Sequence, residues 1–165
     1  MIPDFQIRHT ARILLVDQLD RLLLFKIFDP VNSSDFFWCP VGGGIEEGES
    51  PAEAAKREVA EETGLMDFEL GPHIWNRQAR YTFNGNKVHT KESWFFSRVA
   101  GFEIDISGFS EIEHKSFVEN RWWTSEELFA TNEHLTPRAL PSLFGDLLLN
   151  GAPTFPLELE LEEHF

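Results

Sequence analysis

Apolar positions in the first part of the chain fall into short runs that are separated by polar turns. Residues 13–16 and 22–28 are rich in branched aliphatic side chains, and the polar residues 17–20 lie between them. This arrangement predicts a β-hairpin with a short turn. The aromatic run 36–39 predicts another short strand, which leads into a loop that contains the glycines 42–44.

A capped helix is predicted directly after this glycine-rich loop. Ser50 is expected as the N-cap, Pro51 at the first helical position, and Glu53 as the residue that completes a capping box. Gly64 is expected to end the helix as its C-cap. The sequence therefore predicts a helix over about residues 51–63.

A turn signal divides the next apolar segment into two strands. Residues 68–83 and 87–99 are strand-like, and Asn84-Gly85-Asn86 separates them. An Asn-Gly step between two such runs is typical of a hairpin turn. Further strands are predicted at 102–106 and 117–123, and helices are predicted from Thr124 and over residues 137–149.

The order of these elements predicts an α+β fold in one domain that spans residues 1–165. Strands precede and follow the first helix, and the sequence contains neither an internal repeat nor a linker, so an α/β/α sandwich is expected. The acidic tail, residues 152–165, alternates Leu with Glu from 157 to 162. This peripheral segment is compatible with an edge strand, a partner-binding segment or a frayed end.

Composition narrows the classes of partner. The chain has 165 residues, 42% of them hydrophobic, and a formal net charge of -14 at pH 7. This balance argues against a nucleic-acid backbone or an anionic membrane as the main partner, because such contacts rely on clustered Lys and Arg. A phosphate-bearing small molecule remains compatible, because a bound metal ion reverses the local field.

Cysteine usage and the chain start predict a cytoplasmic protein. Cys39 is the single cysteine, which excludes an internal disulfide framework and fits a reducing compartment. Residues 1–5 lack the basic start and apolar run of a signal peptide, and no apolar stretch is long enough to span a bilayer. The six histidines have no zinc-type spacing, so each is expected at the surface or in the core.

Three carboxylates share one face of the predicted helix. Glu58, Glu61 and Glu62 stand at positions i, i+3 and i+4, so their side chains lie within a single turn. Like charges in this arrangement lower helix stability unless a cation neutralises them. Mg²⁺ takes oxygen ligands and commonly combines carboxylates with substrate phosphates.

These residues belong to a longer pattern, G-x5-E-x7-R-E-U-x-E-E-x-G-U, where U is a bulky aliphatic residue. The segment from Gly43 to Leu65 matches it at every fixed position and resembles the signature of the Nudix hydrolases. Since each fixed residue type makes up roughly 6–7% of protein sequence, a chance match is well below about one in a million. Val41 stands where the family often has proline before the paired glycines, so the approach to Gly42 is expected to differ.

The resemblance implies the Nudix fold, with a mixed sheet between helices, and a set of site residues. Glu58, Glu61 and Glu62 are implied as metal-facing carboxylates, with Glu58 a ligand or the general base. Arg57 is implied to pair with Glu49 and so to hold the loop on the helix. A backbone carbonyl at Gly42 or Gly43 is a further implied metal ligand, and N–H groups of Gly42, Gly43 and Gly44 are expected to hold the substrate.

The signature from Gly43 to Leu65 is called the box below. The roles of residues outside the box are harder to assign. In several Nudix proteins the general base lies late in the chain, where Glu111, Glu113 and Glu119 are the candidates; a solvated acidic loop is the alternative for this stretch. Arg77 and Arg80 are expected either to contact substrate phosphates or to lie on a solvated sheet face. Tryptophans 75, 94, 122 and 123 are expected in the core, and Phe36, Phe37 or Tyr81 are expected to line a nucleotide pocket.

The resemblance implies a hydrolase that uses Mg²⁺ or Mn²⁺ and water to cleave a nucleoside diphosphate linked to another moiety. A nucleotide sugar such as ADP-ribose and a nucleoside triphosphate are both compatible, and a homodimer is expected. A non-catalytic nucleotide-binding domain is an alternative, although such proteins commonly lose box carboxylates. An isomerase that acts on an isoprenoid diphosphate is another, with Cys39 as the reactive thiol.

Overall fold

The first strand lies inside the sheet and pairs with three other strands. In the computed structural model, which describes residues 4–164, β1 runs parallel to β6 along its whole length and antiparallel to β2 and β4. Residues 1–3 and Phe165, which belong to the expected signal-free start and acidic tail, lie outside the described part. The strands are β1 Gln6–Val16, β2 Leu22–Phe28, β3 Phe36–Cys39, β4 Val41–Gly44, β5 His73–Phe83, β6 Asn86–Arg98, β7 Phe117–Trp123, β8 Leu157–Glu158 and β9 Glu162–His164, and the helices are α1 Pro51–Thr63, α2 Glu111–Ser116, α3 Ser125–Ala130 and α4 Leu140–Asn150.

The sheet contains parallel and antiparallel pairs. Its main order is β3-β2-β1-β6-β5-β8, and β7 adds to β2, β4 to β1 and β9 to β5. The hairpin of β5 and β6 turns at Asn84 and Gly85, which have φ values of 51° and 79°. This turn confirms the hairpin that the Asn-Gly step predicts.

Apolar side chains cover both faces of the sheet. Along β1, Leu14 and Val16 pack in a core with α3 and α4, whereas Ile13 and Leu15 pack in a second core with α1. This division follows from the alternation of side chains in a strand, which sends successive residues to opposite faces. The predicted sandwich, with a mixed sheet between helices, is therefore confirmed, and tryptophans 75, 94 and 123 are buried as expected.

The helix that carries the box begins and ends as predicted. The Ser50 side chain accepts a hydrogen bond from the Glu53 N–H at 3.1 Å, and Gly64 closes the helix in the left-handed conformation with φ 79°. Only the Ser50 half of the expected capping box forms in the described structure. Capping boxes with both bonds start α2 at Ser110 and α3 at Thr124.

Several predicted boundaries of strands and helices are wrong, because contacts with distant parts of the chain decide the local structure. Residues 102–106 are irregular because their apolar side chains pack on the α1 core while Asp105 N–H bonds the Thr63 carbonyl at 2.9 Å. The glycine loop forms strand β4, which pairs with β1, and residues 68–72 precede β5 instead of belonging to it. The helix predicted over 137–149 begins only at Leu140 and ends at Asn150.

Two late segments have more structure than their acidic composition indicated. Residues 111–116 form helix α2 where a loop was expected. The tail forms the short parallel edge strands β8 and β9 beside β5, which supports the edge-strand alternative. Among the described helices, none has the length and apolar character that crossing a membrane requires.

Two leucines of α4 offer a matched test of this packing. We expect Leu147→Ala to lower the free energy of unfolding by about 2–5 kcal/mol, because Leu147 is buried in the α3–α4 core. Leu149→Ala, at a position that is 82% exposed in the same helix, is expected to change it by less than about 0.5 kcal/mol. Urea unfolding followed by tryptophan fluorescence measures both, and equal losses would contradict the packing of α4.

Candidate active site

Three carboxylates from two helices meet at one point. Glu58 and Glu62 come from α1 and Glu113 comes from α2, and their ligand oxygens lie within 4.8 Å of one another. Glu58 and Glu62 are 7% and 6% exposed. These three residues are called the carboxylate cluster below.

Burial and crowding shift the protonation of this cluster. Burial raises the pKa of Glu62 well above its ordinary range, and a hydrogen bond with Glu113 and the charge of Glu58 raise it further. Burial also raises the pKa of Glu58, against the opposing effect of Arg57. For Glu113, burial acts upward but is outweighed by the hydrogen bonds from Glu62 and Ser110, so its pKa is lowered. Each additional negative charge here is costly, so the cluster requires a proton or a cation.

Arg57 joins the loop before α1 to the cluster. Its Nε and Nη2 donate to the two Glu49 oxygens at 2.8 and 2.9 Å, which confirms the expected bidentate pair. Nη2 also donates to the Gly44 carbonyl at 2.8 Å, and Nη1 donates to Glu58 at 3.0 Å and to Glu61 at 3.2 Å. The guanidinium therefore fixes β4 and the helix relative to each other.

The glycines of β4 allow the backbone to approach the cluster. A Cβ on Gly43 would lie 2.6 Å from Glu58 Oε1, and a Cβ on Gly42, where φ is 150°, would lie 2.1 Å from the Ala11 carbonyl oxygen. The Gly42 N–H donates to Glu62 at 3.0 Å. Side chains at either position would displace the carboxylates or the strand.

The cluster forms part of the wall of a cavity of about 440 Å³. Its wall also contains Arg8 and Arg12 of β1 and Arg77 and Arg80 of β5. Carboxylates and arginines therefore contribute to one space, which also includes the aromatic side chains of Phe37 and Tyr81, as expected.

The arginines differ in their partners. Arg77 is 5% exposed and pairs with Glu92 at 3.0 Å and Glu162 at 2.8 Å, so the expectation of a solvated sheet face is wrong for this residue. Arg80 pairs with Glu163 at 3.1 Å and lies 5.6 Å from the centre of the Phe5 ring. Within residues 4–164, the Nε atoms of both arginines are buried without a hydrogen-bond partner.

Arg12 is a cavity residue that the sequence reasoning missed. Its Nη1 donates to the Gly42 carbonyl at 3.0 Å. Burial acts to lower the pKa of Arg12, but charge interactions with its neighbours, among them the carboxylates of Glu92 and Glu62, outweigh burial and raise the pKa, so the side chain stays charged. The sequence contained a signal for this position. Arg8, Thr10 and Arg12 alternate in the strand pattern, and this alternation indicates that β1 begins before the apolar run.

Other candidate residues lie at the edge of the site or outside it. Glu61 lies in the cavity wall, but its carboxylate is half-exposed and bonds Arg57 instead of joining the cluster. Glu111 is exposed and pairs with Lys115, and Glu119 is exposed in β7. Of the three late glutamates, the structure brings Glu113 into the cluster.

Cys39 lies in the cavity wall as a free thiol. Burial raises its pKa to about 11, so the thiol stays protonated near neutral pH. The thiol therefore gives no support to a nucleophilic role, and the intact pattern from Gly43 to Leu65 is what disfavours the isomerase alternative.

Comparisons with known proteins agree with this geometry. A family model described as the NUDIX domain matches residues 7–143. The chain is 29% identical over 134 residues to an RNA pyrophosphohydrolase of Wolbachia pipientis subsp. Culex pipiens (strain wPip), covering 75% of this chain and 78% of that protein.

Solved structures share the fold at lower identity. The MutT protein from Methanosarcina mazei Go1 has a TM-score of 0.64 and 18% identity, and the match covers 87% of this chain and 96% of that one. A C. elegans Ap4A hydrolase in a binary complex has a TM-score of 0.63 and 16% identity over 86% of this chain and 98% of that one. At these identities the likeness extends to the fold alone.

The Glu49–Arg57 pair predicts a pH-dependent contribution to stability. Hydrogen bonds from Arg57 lower the pKa of Glu49 from its ordinary 4.5 to about 2. Because the folded-state pKa is the lower one, ionised Glu49 stabilises the fold above about pH 4.5, and this contribution disappears as the pH falls towards 2. We expect Glu49→Gln to lower the stability most above that pH, with a difference from the unsubstituted protein that shrinks in acid.

Urea unfolding between pH 2.5 and 6 measures this difference. Glu47→Gln is the matched control, because Glu47 is exposed and has no described ion pair. A stability loss in Glu49→Gln that is constant across the range would contradict the ion-pair assignment.

Proposed function

The chain belongs to the NUDIX family as a pyrophosphohydrolase, and we propose that it uses Mg²⁺ or Mn²⁺ to hydrolyse a nucleoside diphosphate linked to another moiety. The substrate is a small molecule such as a nucleotide sugar or a nucleoside triphosphate. The observation that carries this proposal is the buried carboxylate cluster, which shares one cavity with four arginines.

The cluster fits a hard divalent cation. Its members offer only carboxylate oxygens as ligands. The pKa values of Glu58 and Glu62 are raised because their negative charges lack compensation, and a bound cation would supply it. Glu58 and Glu62 are the proposed ligands within the cluster, and Glu61 and the Gly43 carbonyl are proposed as further ligands at the rim. A bound Mg²⁺ or Mn²⁺ would supply charge neutralisation for the diphosphate and a lower pKa for a bound water.

Side chains and backbone groups of the protein would activate the water and hold the substrate. Glu113 is the proposed general base, because its carboxylate lies beside the proposed ligands Glu58 and Glu62 in the cavity wall. Arg57 holds Glu58 in place through Nη1 and fixes the loop through Glu49. The N–H groups of Gly43 and Gly44 are proposed donors to the substrate, whereas the Gly42 N–H, which was expected to share this role, donates to Glu62 instead.

The arginines are proposed to bind the anionic substrate. Arg8 has no described ion pair, and Arg80 keeps a buried Nε without an acceptor. The buried Arg80 Nε gains most from a phosphate oxygen, since leaving it unpaired costs free energy, whereas the exposed Arg8 contributes its charge. The volume of about 440 Å³ lies within the usual range for small-molecule sites.

An RNA 5′ end is the second candidate substrate. The relative from Wolbachia named as an RNA pyrophosphohydrolase favours it. The net charge of -14 disfavours it, because repulsion of the RNA backbone would weaken binding beyond the terminal nucleotide. We therefore place the small nucleotide first.

A substrate panel distinguishes these candidates. We expect release of phosphate-containing products from ADP-ribose, nucleoside triphosphates or related diphosphates in Mg²⁺ or Mn²⁺, and little release of pyrophosphate from 5′-triphosphate RNA. EDTA is expected to abolish the rate and added Mg²⁺ to restore it. Faster turnover of the RNA than of every small nucleotide would reverse the order of the two candidates.

The carboxylate cluster makes a prediction about turnover. Glu62→Gln is expected to lower kcat by about 100-fold or more with little change in fold, because it removes a charged ligand at the buried point. Glu53→Gln changes an exposed glutamate in the same helix and is expected to keep near-normal turnover. Equal rates in the two variants would remove Glu62 from the site.

The backbone approach at Gly43 can be tested by one methyl group. Gly43→Ala places that group 2.6 Å from Glu58 Oε1, so the carboxylate must move, and we expect a loss of Mn²⁺ affinity and of turnover of about tenfold or more. Gly44→Ala places it 3.3 Å from a flexible Arg8 nitrogen and is expected to cause a far smaller loss. Titration calorimetry with Mn²⁺ separates the variants, and similar losses in both would contradict the steric argument.

A further inference from the structure

Two histidines and an aspartate converge in a part of the cavity wall that contains no box residue. The ligand atoms of Asp35, His134 and His164 lie within 4.8 Å of one another. His164 Nε2 is 3.8 Å from Asp35 Oδ1, and the two imidazole rings have centroids 4.9 Å apart. These three residues, here called the histidine cluster, share no member with the carboxylate cluster.

Backbone contacts fix each member of the histidine cluster. The Asp35 N–H donates to the Asn32 carbonyl at 2.9 Å, within the turn that precedes β3. The His134 carbonyl accepts from the Trp38 N–H at 2.9 Å, beside a bridge between Trp38 and Leu135. His164 pairs in register with Tyr81 of β5. The backbone positions of all three residues are therefore fixed by contacts other than those among their own side chains.

The donor set differs in kind from that of the carboxylate cluster. Two imidazole nitrogens with one carboxylate oxygen suit Zn²⁺ and related transition-metal ions, whereas oxygen donors alone suit Mg²⁺. We propose that Asp35, His134 and His164 bind a transition-metal ion of the Zn²⁺ class at a second site in the cavity wall. Three protein ligands leave a coordination position for water or for a donor atom of the substrate.

The surroundings allow an ion to enter. The His164 side chain is 44% exposed and that of Asp35 is 26% exposed, so both are reached from solvent. Arg138 lies beside the cluster, with Nη2 3.4 Å from His164 Nδ1. Its side chain is 63% exposed and can turn away when Nδ1 carries the ring hydrogen and Nε2 binds the metal.

A metal at this point would join three distant parts of the chain. Asp35 precedes β3, His134 lies between α3 and α4, and His164 lies in β9. In the same strand, Glu162 bonds Arg77 of the cavity wall at 2.8 Å. Binding at His164 would therefore stabilise the C-terminal strand at the position where it contributes to the cavity.

The experiment uses the full chain and Co²⁺ as a spectroscopic probe for Zn²⁺. Excess Mg²⁺ is present throughout, so that it competes with Co²⁺ for the oxygen-only carboxylate cluster. Co²⁺ is titrated while its visible absorption is recorded, and Zn²⁺ is then added as a competitor. The variants are His134→Gln, His164→Gln and Asp35→Asn, and His9→Gln is the control, since His9 is an exposed histidine outside the cluster. Circular dichroism checks that each variant is folded.

We expect one Co²⁺ per chain with an absorption spectrum of nitrogen ligation, displaced by Zn²⁺. His134→Gln and His164→Gln are each expected to weaken this binding by about tenfold or more, and His9→Gln is expected to leave it unchanged. Zn²⁺ is also expected to raise the melting temperature of the unsubstituted chain but not of His164→Gln.

Two results would overturn the proposal. One is the absence of Co²⁺ binding in excess Mg²⁺, which would leave the cluster as an ordinary His–Asp ion pair. The other is binding that survives in both histidine variants. Glu62→Gln separates this site from the proposed catalytic one, because it is expected to lose turnover while it keeps the histidine-dependent Co²⁺ spectrum.

Discussion

Two buried carboxylates and one half-buried carboxylate are held close together at one point of this molecule. Glu58, Glu62 and Glu113 are brought together where repulsion and loss of hydration oppose the ionisation of Glu58 and Glu62. The fold nevertheless holds them, through the Gly42 N–H at Glu62 and through Arg57 at Glu58. A site that keeps such charge together is prepared for a cation, and this is the physical basis of the hydrolytic function proposed here.

The elements around this point are arranged to maintain it. Strand β4 can lie against α1 because Gly43 has no side chain, and Arg57 ties the Gly44 carbonyl and Glu49 to the same helix. The apolar face of α1 is buried against the sheet, so the helix cannot turn its carboxylates away from the cavity. At the other side of the cavity, β9 adds its own carboxylates to the arginines of β5.

The parts of the site that depend on residues close together in the sequence could be predicted. The helix α1 follows from its cap residues and local spacing, and the Arg57–Glu49 pair, eight positions apart, was expected from the resemblance to the family. Residue spacing also identified the family, because the box is a local pattern. The contribution of Glu113 could only be given as one of three candidates, because its position depends on how α2 packs.

Long-range features were less accessible to the sequence. Pairing of β1 with β4 and β6 places Arg12 in the cavity, although the apolar pattern started the strand only at residue 13. The histidine cluster joins residues 35, 134 and 164, and no spacing rule relates them. Residues 102–106 show the opposite error. Their sequence pattern predicts a strand, but the segment packs its apolar side chains on the α1 core and pairs with no described strand.

Anomalous diffraction from crystals soaked in Mn²⁺ tests the central claim most directly, because it locates the ion without reference to activity. The account predicts a Mn²⁺ peak at the carboxylate oxygens of Glu58 and Glu62, on the side of the cluster where Glu113 joins them. A crystal that binds Mn²⁺ only at exposed glutamates such as Glu46 or Glu47, and none at the buried cluster, would contradict it.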